Sequence, residues 1–241
     1  MKGMLFSAGL GTRFKPWTDK HPKALALING KSLLQRNIEY LQQFGITEII
    51  VNVHHFGDQI ITAIQKNNGW GSTITISDET DSLLETGGGL LNAQKFFTPS
   101  ERLITCNVDI LTNLKINELL TFHQQHQPLI SLGVTNRVTS RNFLFDENNR
   151  LCGWRNSKTN ETKLSLSHAN LSTKAYSCVA VFEYEVFELI RKNGFQGKFS
   201  LTDVYLKLLS SNTILGFDHS GDKFIDVGTL ESASIASSVF I

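Results

Sequence analysis

The sequence predicts an α/β fold: a mainly parallel, twisted sheet flanked by helices, with a smaller β-rich part in the second half. Three observations lead there. Short apolar runs alternate with amphipathic stretches as far as His126, giving a βαβαβαβ order that implies right-handed crossovers. The first apolar run opens straight into a loop rich in glycine and basic residues. Beyond Gln127 the alternation stops and strand-like segments follow one another.

Each element has its own local reason. Met4-Leu5-Phe6 is a short buried strand. Asn29-Gly30 is a turn ahead of a helix over Ser32 to Phe44, where Leu34, Ile38 and Leu41 repeat at helical spacing and Gly45 terminates. Glu48 to Val53 is a buried strand, Gly57 to Lys66 a helix and Thr73 to Ser77 a third strand. A helix is expected after the glycine run, from Leu90 to Phe97. Arg102 to Cys106 is a fourth core strand and Ile116 to His126 the next helix. In the second half, Leu129 to Thr135, Arg141 to Phe145, Leu151 to Trp154 and Ala175 to Phe182 read as strands, with a hairpin turn at Asn148-Asn149. The polar stretch Asn156 to Thr173 reads as a mobile loop near the site. Phe187 to Lys192 and Leu201 to Ser210 are helical, the second opened by a capping box at Ser200-Leu-Thr-Asp203. A short strand ends at Asp226, and Thr229 caps a last helix.

Composition narrows the class. A chain of 241 residues can bury a full core as one α/β domain. A net charge of +1 gives no electrostatic footprint for nucleic acid or for an anionic membrane surface. No apolar run approaches the roughly 20 residues of a membrane span. The N-terminus has too short an apolar stretch for a signal peptide. Cys106, Cys152 and Cys178 are odd in number and form no close pair, which fits a reducing cytoplasm. No internal repeat is visible, and nothing in the sequence points to a particular oligomeric state.

The informative stretch is Ala8-Gly-Leu-Gly-Thr-Arg-Phe-Lys-Pro-Trp-Thr-Asp-Lys-His-Pro-Lys23. Gly9 and Gly11 let the backbone turn tightly and present bare N–H groups, while Arg13 and Lys23 supply positive charge. A strand end that opens into such a loop is a phosphate-binding device. It is not a dinucleotide fingerprint, because the third glycine position is Phe14 and Pro16 and Pro22 interrupt any following helix. It is not a Walker A loop: Gly30-Lys31-Ser32 has Leu25 where the leading glycine belongs. The partner tripeptides of a kinase glycine loop do not occur.

What remains resembles the opening signature of sugar-1-phosphate nucleotidyltransferases, through Ala8, Gly9, Gly11, Thr12, Arg13, Pro16, Thr18, Pro22 and Lys23. The resemblance continues at Leu84-Glu-Thr-Gly-Gly-Gly89, Asn107-Val-Asp109 and Phe224-Ile-Asp-Val-Gly-Thr229, and so runs through nearly the whole chain. It is nearest to the N-acetylmuramate-1-phosphate uridylyltransferases, with mannose-1-phosphate guanylyltransferase-like proteins next. It implies the Rossmann-like nucleotidyltransferase fold as a single catalytic domain over 1–241. Residues 1–128 would be the nucleotide-binding half and 129–241 the sugar-binding half. The partners it implies are a nucleoside triphosphate and a sugar-1-phosphate, whose oxygen attacks the α-phosphate while pyrophosphate leaves.

The resemblance also assigns roles. Asp109 and Asp226 match the ligands of a divalent cation, Mg2+, that bridges the reacting phosphates. Arg13 matches the arginine that meets the triphosphate and leaving pyrophosphate, and Lys23 the lysine near the reaction centre; these two and Asp109 are the expected catalytic groups. Ala8, Gly9, Gly11 and Thr12 would cradle the nucleotide with Arg13 and Lys23. Glu85, Thr86, Gly87 and Gly88 would wall the base, and Asn107 would touch nucleoside or sugar. Asn142 and Asp226 are expected on the sugar side. Read alone, Asp109 caps a loop and Asp226 the last helix, and Lys15 and Lys20 are a solvated basic face. His54-His55 read as local hydrogen-bonders, His123 and His126 as two residues of a polar helix face, and Trp154-Arg155 as within reach of the acceptor. Cys178 stands where relatives often carry a glycine against the sugar. The glycine run favours UTP over GTP, with Glu85 the group that would serve a guanine reader. The alternatives kept open are a guanylyltransferase, a cytidylyltransferase acting on a non-sugar alcohol phosphate, and a silent nucleotide-sugar-binding regulatory protein.

Overall fold

The computed structural model describes residues 1–166 and 170–240. The chain order is β1 (Lys2–Phe6), β2 (Leu27–Ile28), β3 (Lys31–Ser32), α1 (Leu33–Gln42), β4 (Glu48–Val53), α2 (Gly57–Lys66), β5 (Thr73–Asp78), α3 (Glu85–Asn92), β6 (Leu103–Asn107), β7 (Ile110–Thr112) and α4 (Ile116–His126). It continues with β8 (Ile130–Thr135), β9 (Arg141–Phe145), β10 (Leu151–Asn156), β11 (Glu161–Leu164), β12 (Ser172–Phe182), α5 (Val186–Lys192), α6 (Leu201–Leu208), β13 (Ile214–Asp218), β14 (Phe224–Asp226) and α7 (Leu230–Val239).

The first half forms a parallel sheet in the order β5-β4-β1-β6. The chain leaves β1 toward β4 and β5 on one side, then returns to lay β6 on the other. The switch point is therefore the gap between the carboxyl ends of β1 and β6, where ligands bind in open α/β sheets. Strand β12 runs antiparallel to both β6 and β8, so β8 is parallel to β6, as is β13, its parallel partner. The ends of β1, β6, β8 and β13 thus share one edge of the sheet.

Period-two alternation fills both faces. Met4, Ile50 and Leu103 pack with α3, α5 and α6 through Leu90, Phe187 and Tyr205. Leu5, Val51 and Ile104 pack with α1, α2 and α4 through Ile38, Ile60 and Leu119. A third cluster joins Phe14 of the first loop to Leu33, Leu111, Val227 and Ala236, which fixes that loop to the β7–β14 ribbon and α7.

Several sequence expectations change. Asn29 and Gly30 both take positive φ and turn the two-residue strands β2 and β3 into a hairpin before α1. The helix expected from Leu90 to Phe97 starts at Glu85 and contains the glycines; only a short 3-10 turn, Ala93–Phe96, follows it. Helical glycine is disfavoured by propensity, and tertiary packing overrides that here. The polar stretch 156–173 is not all loop, since Glu161–Leu164 pairs with β10 as an exposed edge strand; its residues 167–169 lie outside the described residues. His123 is not on a polar face. It is buried, and its ring bonds Ser131 Oγ at 2.8 Å and Glu183 Oε1 at 3.2 Å.

Candidate active site

At the switch point lies a cleft of about 440 Å³ whose walls come from five chain segments: the loop after β1, the end of β4, the start of α3, the end of β6 and Gly228 ahead of α7. Ala8, Gly9, Gly11, Thr12, Arg13 and Lys23 line it from the first loop, with Glu85 and Thr86 opposite and Asn107 and Asp109 at the base.

The loop closes on itself. Gly11 takes φ +60, and its carbonyl accepts from Phe14 N at 2.8 Å and Thr18 Oγ1 at 3.0 Å. A Cβ on Gly11 would stand 2.9 Å from Thr18 Cγ2 and 3.1 Å from Lys23 Cβ, so both conformation and space require glycine. Phe14 drops into the third core cluster and leaves Arg13 exposed at the cleft. Lys23 is buried at 9 % exposure, and its Nζ lies 2.5 Å from Asp109 Oδ2.

Asp226 does not line the main cleft but meets it over Gly228. A Cβ on Gly228 would stand 3.1 Å from both Arg13 Nη2 and Asp226 Oδ1, so this glycine lets guanidinium and carboxylate approach. Neither aspartate caps a helix: Thr229 makes the capping box of α7 with Ser232, while Asp109 uses its carbonyl to accept from Val227 N at 2.8 Å. That bond and the β7–β14 pairing bring Asp109 and Asp226 side by side. Burial and the facing Asp109 push the Asp226 carboxyl above the usual carboxylate range, while Lys23, Arg13 and Arg137 pull it back. Two hard oxygen donors flanked by cations suit a magnesium site completed by phosphate oxygens and water. Among the described residues no cluster of three or more His, Cys, Asp or Glu side chains offers another metal site.

Gly87 and Gly88 behave differently from expectation. Their N–H groups donate to the Phe199 carbonyl at 2.9 and 3.2 Å. Added Cβ atoms would come within 2.5 Å of the Phe199 ring and 2.1 Å of the Gly197 oxygen. They are glycines because α3 packs there on the 197–199 segment, and neither lines the cleft. Thr86 serves both sides: it faces the cleft, and its Oγ1 accepts from Leu201 N at 3.0 Å. The exposed Glu85 lies 3.6 Å from Lys198. Asn142 lies outside the cleft lining, its amide donating to Thr139 O at 3.0 Å. The exposed Arg155 bonds Thr162 within the β10–β11 pair.

Two groups, Asn52 and Glu79, escaped sequence reasoning. Asn52 interrupts the apolar run of β4 one residue before its end and lines the cleft; it accepts from Ser7 N at 2.7 Å and donates to Glu79 Oε1 at 2.8 Å. Glu79 is buried, which pushes its carboxyl up. The network ties the first loop to the segment that leads into α3. A polar residue next to last in a buried, mostly apolar strand was the available signal. Cys178, singled out in the sequence, takes φ +57 in a bulge where β12 shifts register against β8. Ser177 behind it bonds His219 Nε2 at 2.7 Å, and His219 Nδ1 lies 3.3 Å from Asp222. Ser177 is fully buried, so this Ser-His-Asp line braces the bulge rather than forming a nucleophile.

A family model described as nucleotidyl transferase matches residues 2–239. The chain belongs to that family. It is 37% identical over 114 residues to N-acetylmuramate alpha-1-phosphate uridylyltransferase of Neisseria meningitidis, a match covering 47% of this chain and 49% of that protein. It is 29% identical over 137 residues to a probable mannose-1-phosphate guanylyltransferase of Oryza sativa, covering 56% and 38%. These matches span about half or less of the curated relatives' length. In fold it is similar to a putative glucose-1-phosphate thymidylyltransferase from Bacillus anthracis, with TM-score 0.81, 18% identity and coverage of 99% of this chain and 94% of that one. No described helix is long and apolar enough to cross a membrane.

Proposed function

We propose that this protein transfers a nucleoside monophosphate from a nucleoside triphosphate, UTP preferred, to a sugar-1-phosphate, with release of pyrophosphate. The observation that carries the reading is the convergence of Gly11, Arg13, Lys23, Asn107 and Asp109 in one cleft, with Asp226 meeting Arg13 over Gly228. We assign residues 1–128 to the nucleotide and 129–241 to the acceptor, within one catalytic domain. The three free cysteines, none of them paired, fit our assignment to the cytoplasm.

The chemistry asks the protein for position and charge. Exposed Arg13 reaches the triphosphate with a planar fork and steadies the charge that develops on leaving pyrophosphate. Lys23, already held on Asp109, is placed for the α-phosphate. Asp109 and Asp226 would hold Mg2+, which when bound neutralises phosphate charge and orients the reacting oxygens. The backbone of residues 9–12 supports the phosphates, and Asn107 beside Asp109 takes a ribose or sugar hydroxyl. UTP over GTP is supported by the higher identity to the uridylyltransferase and by the pull of Lys198 on Glu85, the acceptor a guanine reader would want.

Pyrophosphate release measured over four nucleoside triphosphates, with N-acetylmuramate-1-phosphate, mannose-1-phosphate and glucose-1-phosphate as acceptors, tests the reading. The expected result is UTP-dependent release with N-acetylmuramate-1-phosphate. Preference for GTP with mannose-1-phosphate overturns the base and sugar. No release with any pair overturns the reaction.

A further inference from the structure

Arg137 is a cation that the nucleotide half does not use. It follows β8 at the edge of the sheet shared with β1 and β6. Its guanidinium lies on the Phe224 ring, 4.5 Å from the centroid, and Nη2 donates to Tyr176 O at 2.8 Å. Nε is buried with no hydrogen-bond partner. Among the described residues Arg137 forms no ion pair, although it is half-buried. A desolvated guanidinium with part of its fork unfilled costs stability unless an anion completes it.

Its place says which anion. Phe224 and Asp226 are two residues apart on β14 and so project from the same face. The face that carries Arg137 therefore continues to the aspartate pair, and the charge of Arg137 is felt at Asp226. Beside it opens a cavity of about 260 Å³ that Phe224 also walls, lined further by Thr135, Asn136, Ser220 and Asp222. This cavity shares no lining residue with the nucleotide cleft. Arg13 and Lys23 already serve the triphosphate. An anionic acceptor must approach Asp109 and Asp226, which repel it, and neither sugar-side residue expected from sequence, Asn142 or Asp226, carries positive charge. We propose that Arg137, stacked on Phe224 with an unfilled Nε, is the fork that binds an anionic group of the acceptor, its phosphate or a sugar carboxylate. This rests on the nucleotidyltransferase reading above.

The test varies the acceptor at saturating UTP for the parent, Arg137→Ala and Arg137→Lys, with melting temperature and UTP KM as controls. N-acetylmuramate-1-phosphate carries phosphate and carboxylate; N-acetylglucosamine-1-phosphate carries phosphate alone. Arg137→Ala should raise acceptor KM about 10- to 100-fold, the worth of a charge-assisted pair, with UTP KM unchanged. Arg137→Lys should recover only part, because it lacks the fork. A rise with both acceptors assigns the phosphate; a rise confined to the muramate assigns the carboxylate. If Arg137→Ala melts early, Arg137→Gln keeps a donor for Tyr176 O and replaces it. An acceptor KM within twofold of the parent, or a UTP KM that rises equally, overturns the proposal. If the parent turns over no acceptor, calorimetric titration of both sugar phosphates into parent and variant separates the two ideas. Binding weakened by Arg137→Ala then supports the fork while the transferase reading fails, and unchanged binding, or none to the parent, overturns the fork as well.

Discussion

Gly88→Ala separates two explanations of the glycine run. If the glycines let a nucleobase approach, the substitution spoils nucleotide binding and spares stability. If they let α3 pack on residues 197–199, stability falls first. The geometry favours the second. An alanine Cβ at Gly88 would stand 2.1 Å from the Gly197 oxygen and 3.0 Å from Leu84 Cβ, with backbone as the nearer obstacle. Backbone cannot rotate away, so the helix must shift by more than an ångström. That strains packing by about 1–3 kcal/mol and weakens the two N–H bonds to Phe199 O, each worth about 1 kcal/mol. Alanine returns about 1 kcal/mol of helix propensity. The net loss is about 2–3 kcal/mol, or roughly 4–12 °C of melting temperature for a chain this size. Gly87→Ala should cost less, because its nearest obstacle is the Phe199 ring, a side chain. Thermal unfolding followed by circular dichroism, with UTP titration on the folded variants, makes the comparison. A Gly88→Ala protein that melts like the parent but no longer binds UTP refutes the packing argument and restores the base-wall role.

The aspartates should respond with opposite signs of stability. Asp109→Asn and Asp226→Asn should each cut turnover by orders of magnitude, and a chelator should abolish it in the parent. Asp109→Asn also strips Lys23 of its partner and should cost about 1–2 kcal/mol, part-exposure discounting the fully buried value. Asp226→Asn removes a carboxylate whose folded pKa is raised, so the native charge opposes folding above the native pKa and not below the unfolded one. Its melting point should exceed the parent's at neutral pH by a degree or more, and the gain should fade as the buffer is acidified through the carboxylate range. Arg13→Ala should lower kcat/KM by about 10- to 100-fold or more with little effect on sugar affinity, Arg13→Lys should rescue poorly, and Lys20→Ala should be mild; equal effects at Arg13 and Lys20 in steady-state kinetics would remove the loop assignment. Cys178→Gly should stabilise by about 1 kcal/mol in urea unfolding, since φ +57 is costly for any side chain.

Sequence reading succeeded where a local signal carried the information. The strand Glu48–Val53 and the helices Gly57–Lys66 and Ile116–His126 fall on their predicted limits, because apolar runs and periodicity mark them, helped by Gly57 at the start of one helix and Pro128 after the other. It missed β7 and β13, whose short apolar runs show no usable period, and β11, whose four residues are exposed and polar. It began α3 too late because glycine argues against helix until Phe199 and Gly197 are seen across from it. In the candidate site, Arg13 and Lys23 stood out from the glycine-rich basic loop itself, whereas Asp109 and Asp226, which read alone as caps, were singled out only through the family resemblance; the cleft gathers Arg13, Lys23 and Asp109, with Asp226 beside it. Asn52 and Glu79 were not, since their bonds to Ser7 and the α3 segment depend on which strands pair. Gly228 stood inside a recognised motif, yet its reason for being glycine appears only when Arg13 and Asp226 meet over it.

The topology explains why the cleft opens at this edge. Because the chain reverses direction of travel between β5 and β6, no crossover covers the carboxyl ends of β1 and β6, and the first loop can fold across the gap. Its underside is tied down by Phe14 in a small core shared with α7 and the β7–β14 ribbon. The same ribbon carries Asp226 and lies against Asp109 through the Val227 bond. The first loop and the aspartate pair are therefore positioned by one structural unit rather than by independent loops. A substitution beneath that unit tests the coupling without touching any polar group. Phe14→Ala should remove about 3 kcal/mol of packing and release Arg13 from the cleft. Turnover should then fall more than that of Phe187→Ala, which deletes a phenylalanine of similar burial from the main core, far from the loop. Equal losses of turnover at matched stability, read by kinetics well below both melting points, would mean that the loop holds its geometry without the core beneath it.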